Sequence, residues 1–368
     1  MTEDIRLLFD LVNTPSVSGD ERAAAEVFVG HASHFGFVTE IDHANNAIAH
    51  RGASANDATV HIVLLGHIDT VPGKIPVRIE DGILHGRGSV DAKGPLAAML
   101  MGAYRCQLPI GVRLSVIGAV GEESAGSPGA RCLAPRIHPD ACIIAEPSSW
   151  NGVTLGYKGR LLVTAMTMRT NAHSAGPDPS AGDELMSWWS RVLGFVDESN
   201  RDQTRAFDSI QATIQKLESA SDGLHQSASL QAGFRLPPSA SPEYLLEKLS
   251  RLGEGLNIKL ETQGAEHAHA TDRNDPVVRS LSSAIRSHGG RPVPKLKTGT
   301  ADLNVVAPIW NCPIAAYGPG ESALDHTPIE HLHIDEYQRS IRVITAAIET
   351  LSKELLETKL GIQSVAMP

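Results

Sequence analysis

The chain has 368 residues, a length that corresponds to two or three average domains. Hydrophobic residues make up 42% of it and charged residues 20%, which is typical of a globular chain and excludes an intrinsically disordered one. Lysine and arginine total 32 against 42 aspartate and glutamate residues, so the net charge of −10 argues against a general binder of nucleic acid or anionic membranes.

The sequence predicts neither a membrane span nor a secretory leader. No run approaches about 18 apolar residues, and the first ten residues, MTEDIRLLFD, lack the basic and apolar regions of a signal peptide. The four cysteines form no C-x-x-C pair and are too few for a disulfide scaffold. We therefore expect a cytoplasmic protein.

Helical and strand patterns alternate in the first part of the chain. Helices are predicted over 4–14, 19–35 and 91–106. Continuous apolar runs, typical of strands buried on both faces, occupy 61–66, 113–120 and 141–145. This alternation predicts an α/β fold with a mostly parallel sheet.

A different pattern begins after Gly156. Residues 159–168 alternate in polarity like an antiparallel strand. Further strands are predicted over 207–215 and 228–236, and helices over 181–196 and 241–253. This order predicts a small α+β unit over 156–270, after which helix and short apolar strands return and the chain closes with a long helix at 334–355.

Metal-ligand residue types follow each of the three predicted buried strands. His67 follows the first strand, Glu122 and Glu123 the second, and Glu146 the third, while Asp91 precedes a predicted helix. Each residue alone has a structural explanation, such as a satisfied polar group, a helix N-cap or a solvated turn. Their joint occurrence at strand ends, which meet at one sheet edge, favours a mixed nitrogen and oxygen site for Zn²⁺ or a similar ion.

Five stretches resemble the dinuclear zinc amidohydrolase and peptidase family that includes acetylornithine deacetylase, succinyl-diaminopimelate desuccinylase and aminoacylase. In family order they are GHIDTVPG (66–73), GRGSVDAKGPLAAML (86–100), GEESAGSPGA (121–130), AEPS (145–148) and DHTPIE (325–330). The resemblance implies a zinc-peptidase catalytic domain built from 1–155 and 271–368. It also implies that 156–270 is an inserted lid and dimerisation domain, which joins two chains in a homodimer.

The resemblance implies two Zn²⁺ ions per chain, with Co²⁺ able to substitute. Carried over by position, it makes His67 and Glu146 ligands of one ion and Glu123 and His326 ligands of the other. Asp91 would bridge the two ions, and the peptide bond that follows it would be cis.

The resemblance also implies catalytic roles for three residues. Asp69, two positions after His67, would orient that imidazole. Glu122 would be the general base. His173, in NAHSAGPDPS, would reach across the dimer and donate to the oxyanion of the partner chain's reaction.

Substrate contacts are implied for three further positions. Arg235 matches the lid arginine of the family, although GFR stands here in place of the commoner acidic-x-Arg pattern. Lys297 and Thr300 lie in KTGTADLN, which resembles the family's substrate loop. An arginine there is suited to a substrate carboxylate.

Within the family, the short chain, GRGSVDAKGPLAA and KTGTADLN resemble the branch that releases lysine or ornithine from an amino-group carrier protein. Deacetylation of N-acetyl-lysine or N-acetylornithine is the nearest alternative. A metallo-dipeptidase or aminoacylase keeps the same metal motifs, so these motifs leave that alternative open. A binding module without activity would be expected to lose ligands, whereas every expected ligand is present.

Overall fold

The computed structural model describes residues 1–124, 126–173 and 175–361. Ala125 of the GEESAGSPGA stretch and Ser174 of the NAHSAGPDPS stretch lie outside the described residues. The chain divides into two compact units. The first comprises Met1–Gly156, Thr271–Leu296 and the described residues from Ala301 onward, and the second comprises Tyr157–Ala270 and Lys297–Thr300.

The described residues form sixteen strands and nine α-helices. In chain order the strands are β1 (Val38–Ile41), β2 (Ala47–Gly52), β3 (Val60–His67), β4 (Arg78–Glu80), β5 (Ile83–His85), β6 (Val112–Ala119), β7 (Ala141–Ala145), β8 (Gly152–Tyr157), β9 (Gly159–Thr170), β10 (Gln211–Ser221), β11 (His225–Leu236), β12 (Lys259–Glu266), β13 (His269–Ala270), β14 (Val293–Lys297), β15 (Ile314–Tyr317) and β16 (His331–His333). The helices are α1 (Glu3–Asn13), α2 (Arg22–His34), α3 (Lys93–Arg105), α4 (Pro128–Leu133), α5 (Ala181–Asn200), α6 (Pro242–Leu252), α7 (Pro276–Ser287), α8 (Asp302–Trp310) and α9 (Ile334–Leu360). Among these described helices, none combines the length and apolarity that crossing a membrane requires.

The large sheet of the first unit has four parallel strands at its centre. β3 lies between β6 and β7, and β15 pairs with the other side of β7. β2 and β1 extend the sheet beyond β6 in antiparallel orientation, and β8 pairs antiparallel with β15. This mixed α/β architecture confirms the predicted fold class, and β3, β6 and β7 coincide with the three predicted apolar runs.

The central strands are apolar on both faces because both faces are covered. Successive side chains of a strand point to opposite sides of the sheet, yet Ile62, Val63, Leu64 and Leu65 of β3 are all fully buried. α3, α8 and α9 pack against this strand. Each such aliphatic side chain contributes about 1.5–3 kcal/mol relative to an exposed one, so this run fixes β3 in the middle of the sheet.

A small antiparallel sheet in the same unit was not predicted. Its order is β16, β5 and β4, and each of these strands has three residues. A strand of three residues is too short to show the period of two by which strands are recognised in a sequence.

The second unit is an antiparallel sheet with two helices. The strand order is β10, β11, β9 and β12. α5 begins after Ser180, which forms a capping box with Asp183. Trp188 of α5 is fully buried, and its Nε1 donates to the carbonyl oxygen of Leu249 in α6 at 3.1 Å. The predicted strand at 207–215 begins instead at Gln211, because Ala206–Asp208 form a 3₁₀ turn.

Two histidines of the first unit share one hydroxyl group. His61 Nε2 lies 2.7 Å and His50 Nδ1 2.8 Å from Ser115 Oγ. Burial, together with the positive charges of Arg113 and His50, lowers the pKa of His61 to about 4. His61 is therefore neutral in the folded protein at pH 5, whereas an unfolded histidine is mostly charged there.

We expect His61 to lower the free energy of unfolding in mild acid relative to that at neutral pH. The unfolded chain binds one more proton than the folded chain between pH 6.5 and about 4, so stability is lost as the pH falls through this window. His61→Gln should reduce the loss of unfolding free energy between pH 7 and pH 5 by about 2 kcal/mol. Urea unfolding of the metal-free protein at both pH values measures this difference.

The matched control is His34→Gln, because the side chain of His34 is 73% exposed. It should keep the pH dependence of the unchanged protein. An equal pH dependence in His61→Gln and the unchanged protein would contradict a neutral, part-buried His61.

Candidate metal centre

Strand ends bring four of the predicted residues to one edge of the large sheet. β3 ends at His67, and Glu146 follows directly after β7. Glu122 and Glu123 lie in the turn that follows β6. Because β3, β6 and β7 are parallel, their carboxyl ends meet at the same edge.

Asp91 places one carboxylate oxygen near each of two donor groups. Its Oδ1 lies 3.2 Å from His67 Nε2, and its Oδ2 lies 2.9 Å from His326 Nε2. Glu146 Oε1 lies 3.9 Å from His67 Nε2, and Glu123 Oε1 lies 2.9 Å from His326 Nε2. The structure thus forms two sets of three donors that share Asp91, and within each set the ligand atoms lie within 4.8 Å of one another.

The two donor sets differ in their access to solvent. The side chains of His67, Asp91, Glu123 and Glu146 are between 1% and 12% exposed, whereas that of His326 is 52% exposed. The set that contains His326 therefore forms the open side of the candidate centre. Separately, the peptide bond between Asp91 and Ala92 is cis, as the resemblance implied.

Asp69 contacts both a candidate ligand and the candidate base. Its Oδ1 lies 3.5 Å and its carbonyl oxygen 3.1 Å from His67 Nδ1. The backbone N–H groups of Glu122 and Glu123 donate to its two carboxylate oxygens, each at 3.1 Å, and Ser18 Oγ donates at 2.7 Å. Burial alone would raise the pKa of Asp69, but the hydrogen bonds and the charge of His67 outweigh it and lower the pKa. An ionised Asp69 can therefore orient the imidazole and the Glu122–Glu123 turn together.

Glu122 lies in a part-buried and electrically negative environment. Burial raises the pKa of Glu122 well above its ordinary value, His67 opposes this shift, and the charges of Asp302, Glu146 and Glu123 add to it. A carboxyl group whose pKa is raised is suited to accept a proton and return it later.

The converging side chains have the chemistry of a divalent cation site. Five carboxyl groups meet two imidazoles at this edge, namely Asp69, Asp91, Glu122, Glu123 and Glu146. Hydrogen bonds with Asp91 and Glu123 raise the pKa of His326 to about 10, which reflects the strong negative potential. Burying so many carboxylates is costly unless cations pair with them, and the nitrogen and oxygen donors suit Zn²⁺ or a related ion.

Glu330 also belongs to this site, although the sequence did not predict a role for it. It is fully buried, and its Oε1 accepts from the N–H groups of Val90 at 2.9 Å and Asp91 at 3.1 Å. Its Oε2 accepts from Arg87 Nη1 at 2.6 Å. Glu330 thereby fixes the backbone that presents Asp91. It ends the DHTPIE stretch, but no local pattern joins it to a residue 239 positions away.

The four remaining predicted residues lie in the second unit. Arg235 Nη1 donates to Thr300 Oγ1 at 3.0 Å, so two substrate-binding candidates are in contact. Lys297 Nζ lies 5.6 Å from the ring centroid of Tyr157. His173 is exposed, and its Nδ1 accepts from the N–H of Ala175 at 3.1 Å. These contacts give the positions of the four residues. The catalytic and binding roles of the four residues stay predictions.

An α/β fold with two donor sets joined by one carboxylate, at the carboxyl edge of its parallel strands, is the arrangement expected of a two-metal enzyme. The chain belongs to peptidase family M20/M25/M40, whose model matches residues 63–350. It is a hydrolase that acts on amide bonds. The match also confirms the family resemblance that the five sequence stretches predicted.

The chain is similar over nearly its whole length to curated relatives. It is 42% identical over 352 residues to a LysW-lysine hydrolase of Deinococcus radiodurans, covering 94% of this chain and 96% of the relative. It is 37% identical to a putative LysW-lysine/LysW-ornithine hydrolase of Thermococcus kodakarensis, covering 95% and 92%.

Among solved structures, the fold is similar to that of a dinuclear metal binding peptidase of the M20 family from Bacillus subtilis. The TM-score is 0.70 at 13% identity, and the match covers 96% of this chain and 98% of that one. At this identity the likeness concerns the fold.

We expect the candidate metal centre to bind two divalent ions, roughly 3.5 Å apart, with Asp91 between them. Loss of a residue that only supports a ligand costs about 10–100-fold in metal affinity, so Asp91→Asn, which changes a shared ligand, should weaken both ions by at least that factor. Zn²⁺ titration calorimetry with elemental analysis measures affinity and stoichiometry. Asp20→Asn, at an exposed position, is the control and should bind as the unchanged chain does. At most one ion per reconstituted chain would refute a shared site.

Proposed function

We propose that this chain hydrolyses the amide that joins lysine, or ornithine, to the amino-group carrier protein LysW. The reaction releases the free amino acid as a step of lysine or arginine biosynthesis. The observation that carries this proposal is the 42% identity over 94% of the chain with the LysW-lysine hydrolase of Deinococcus radiodurans. The ornithine alternative rests on the name of the Thermococcus kodakarensis relative.

The proposed cofactor is a pair of Zn²⁺ ions, for which Co²⁺ can substitute. His67 and Glu146 would hold one ion, Glu123 and His326 the other, and Asp91 both, which agrees with the two donor sets that share Asp91. When bound, two such ions polarise the scissile carbonyl group and lower the pKa of water, so that hydroxide forms at neutral pH.

Glu122 moves the proton in the proposed reaction. Its carboxylate accepts a proton from the attacking water and delivers it to the nitrogen of the leaving amine, so the amide carbon gains oxygen as its bond to nitrogen breaks. Asp69 supports this step because it holds the backbone of Glu122 and orients His67. His173 of a partner chain donates a hydrogen bond to the oxyanion.

The second unit supplies the proposed substrate contacts. Lysine joined through its amino nitrogen keeps a free carboxylate, which a guanidinium group binds well. Arg235, held by Thr300 at 3.0 Å, is the proposed carboxylate ligand. Thr300 and Lys297, which lie on the same loop as each other, are also proposed to contact the substrate.

We further propose a cytoplasmic homodimer that is joined through the second unit. β10 lies at the edge of its sheet, and most of its residues are exposed. An exposed edge strand is a ready surface for pairing with another chain, which supports this assembly.

A substrate panel tests the proposed function. Purified, zinc-loaded protein is assayed against LysW-lysine, LysW-ornithine, N-acetyl-lysine, N-acetylornithine and a set of dipeptides. We expect kcat/KM for a LysW conjugate to exceed that for the matching acetyl compound by at least about 100-fold, because the carrier adds binding energy remote from the reacting atoms. Glu122→Gln prepared in parallel controls for contaminating hydrolases. Equal or higher kcat/KM with an acetyl compound or a dipeptide would overturn the proposal.

A further inference from the structure

A second group of metal-ligand side chains lies in the first unit, outside the candidate metal centre. Asp42 and His43 belong to the loop that joins β1 to β2, and Cys132 belongs to α4. One ligand atom of each residue lies within 4.8 Å of the other two. We propose that these three residues form a third divalent-metal site, of the kind that binds Zn²⁺ through sulfur, nitrogen and oxygen. This inference does not depend on the proposed substrate.

The distances agree with the edges of a coordination tetrahedron. Zn–S bonds are about 2.3 Å long and Zn–N or Zn–O bonds about 2.0–2.2 Å, so tetrahedral ligand atoms are separated by about 3.6 Å. Cys132 Sγ lies 3.4 Å from His43 Nε2 and 3.8 Å from Asp42 Oδ2. Two edges thus match the tetrahedron, the third joins atoms that lie within 4.8 Å of each other, and an ion bound here would leave a fourth position for water.

Asp42 is already fixed in the orientation that the site needs. Its side chain is 4% exposed, and its Oδ1 accepts from the N–H groups of Ala44 and Asn46, both at 2.9 Å. Asn46 Nδ2 also donates to Oδ2 at 3.1 Å, and together these bonds hold the carboxylate with Oδ2 beside Cys132. The carboxylate ligand is thus ordered before an ion arrives, which reduces the entropy lost on binding.

Arg136 lies beside the group. Its Nη1 lies 3.6 Å from Cys132 Sγ and 3.3 Å from Asp42 Oδ2. Metal binds the thiolate form of cysteine, so the thiol proton passes to solvent when an ion binds. The positive charge of Arg136 opposes a cation, but its side chain is 51% exposed and has room to turn into solvent.

The site is connected to the turn that carries Glu122 and Glu123. Asn46 Oδ1 accepts from the N–H of Val120 at 3.1 Å, and Asn46 Nδ2 donates to the carbonyl oxygen of Gly129 at 3.3 Å. The β1–β2 loop therefore already holds the backbone at Val120 and at Gly129. A bound ion would add a link from this loop to α4 and so brace the chain on either side of the turn that carries Glu122 and Glu123.

Cobalt spectroscopy tests the site separately from the candidate metal centre. That centre has only nitrogen and oxygen donors among its predicted ligands, so a thiolate-to-cobalt charge-transfer band in the near ultraviolet reports a cysteine ligand alone. Metal-free full-length protein is titrated with Co²⁺ while bound ions are counted. We expect the band to saturate at one ion per chain, with three ions bound in total.

Variants identify the ligands. Cys132→Ser should abolish the band and leave two bound ions. Cys312→Ser is the matched control, because Cys312 is also a free, part-exposed cysteine, and it should retain the band. His43→Ala, on an exposed loop residue, should weaken the band-forming ion at least ten-fold and leave the other two ions unchanged.

Three results would overturn the third site. They are the absence of the band in the unchanged protein, its persistence in Cys132→Ser, and an unchanged affinity in His43→Ala. A second measurement covers the case in which Cys132→Ser does not fold. In protein already loaded with two Zn²⁺ ions, further Zn²⁺ should slow alkylation of Cys132 but not of Cys312, as measured by peptide mass spectrometry. Equal alkylation rates with and without the added Zn²⁺ would also refute the site.

Discussion

Glu122→Gln is expected to lower kcat by about 10²-fold or more while both metal ions stay bound. The amide keeps the size of the side chain but cannot accept the proton of the attacking water. Because Asp69 holds residue 122 through its backbone N–H, the substitution should leave the turn in place. Steady-state kinetics with metal analysis of the same samples measures both quantities.

Glu123→Gln is the matched comparison, because it changes the neighbouring carboxylate. Glu123 Oε1 lies 2.9 Å from His326 Nε2, so its loss should release the ion that these two residues are proposed to share. Added metal should then restore part of the activity, which it should not do for Glu122→Gln. Near-normal turnover of fully loaded Glu122→Gln would mean that Glu122 is not the base and that the assignment of base and ligand is wrong.

His173→Ala is expected to lower kcat by about 10²-fold or more without changing metal content, because an oxyanion donor contributes about 2.7–4 kcal/mol to the transition state. His173 is exposed in the second unit and lies outside both donor sets, so its removal should leave metal binding intact. Kinetics and metal analysis again separate the two effects. His225→Ala changes another exposed histidine of the second unit and is the control.

Mixed dimers test whether His173 acts on a partner chain. His173→Ala and Glu122→Gln are each expected to be nearly inactive. A dimer of one chain of each kind contains one site with both groups intact, so mixing should restore activity once chains exchange. If labelled chains exchange and activity does not return, His173 serves its own chain or has no part in the reaction.

The sequence determined the central strands and the identity of the residues at their ends. Runs such as HIVLLG fix β3 because an apolar strand is stable only where both faces are covered. Parallel strands bring their carboxyl ends to one edge, so the sequence by itself predicts that His67, the Glu122–Glu123 pair and Glu146 converge. The candidate donors of the metal centre were therefore identifiable from local pattern and from the family stretches.

Only the tertiary structure decided which atoms meet. Residues far apart in the chain form contacts that have no period and no local signal, because they depend on how whole elements pack. Glu330 accepts the N–H of Asp91 across 239 positions, and Cys132 meets His43 across 89. Arg235 and Thr300 likewise meet because the short segment Lys297–Thr300 belongs to the second unit. The sequence determined which donor and ligand side chains are present, and the packing of the folded chain determined their distances and partners.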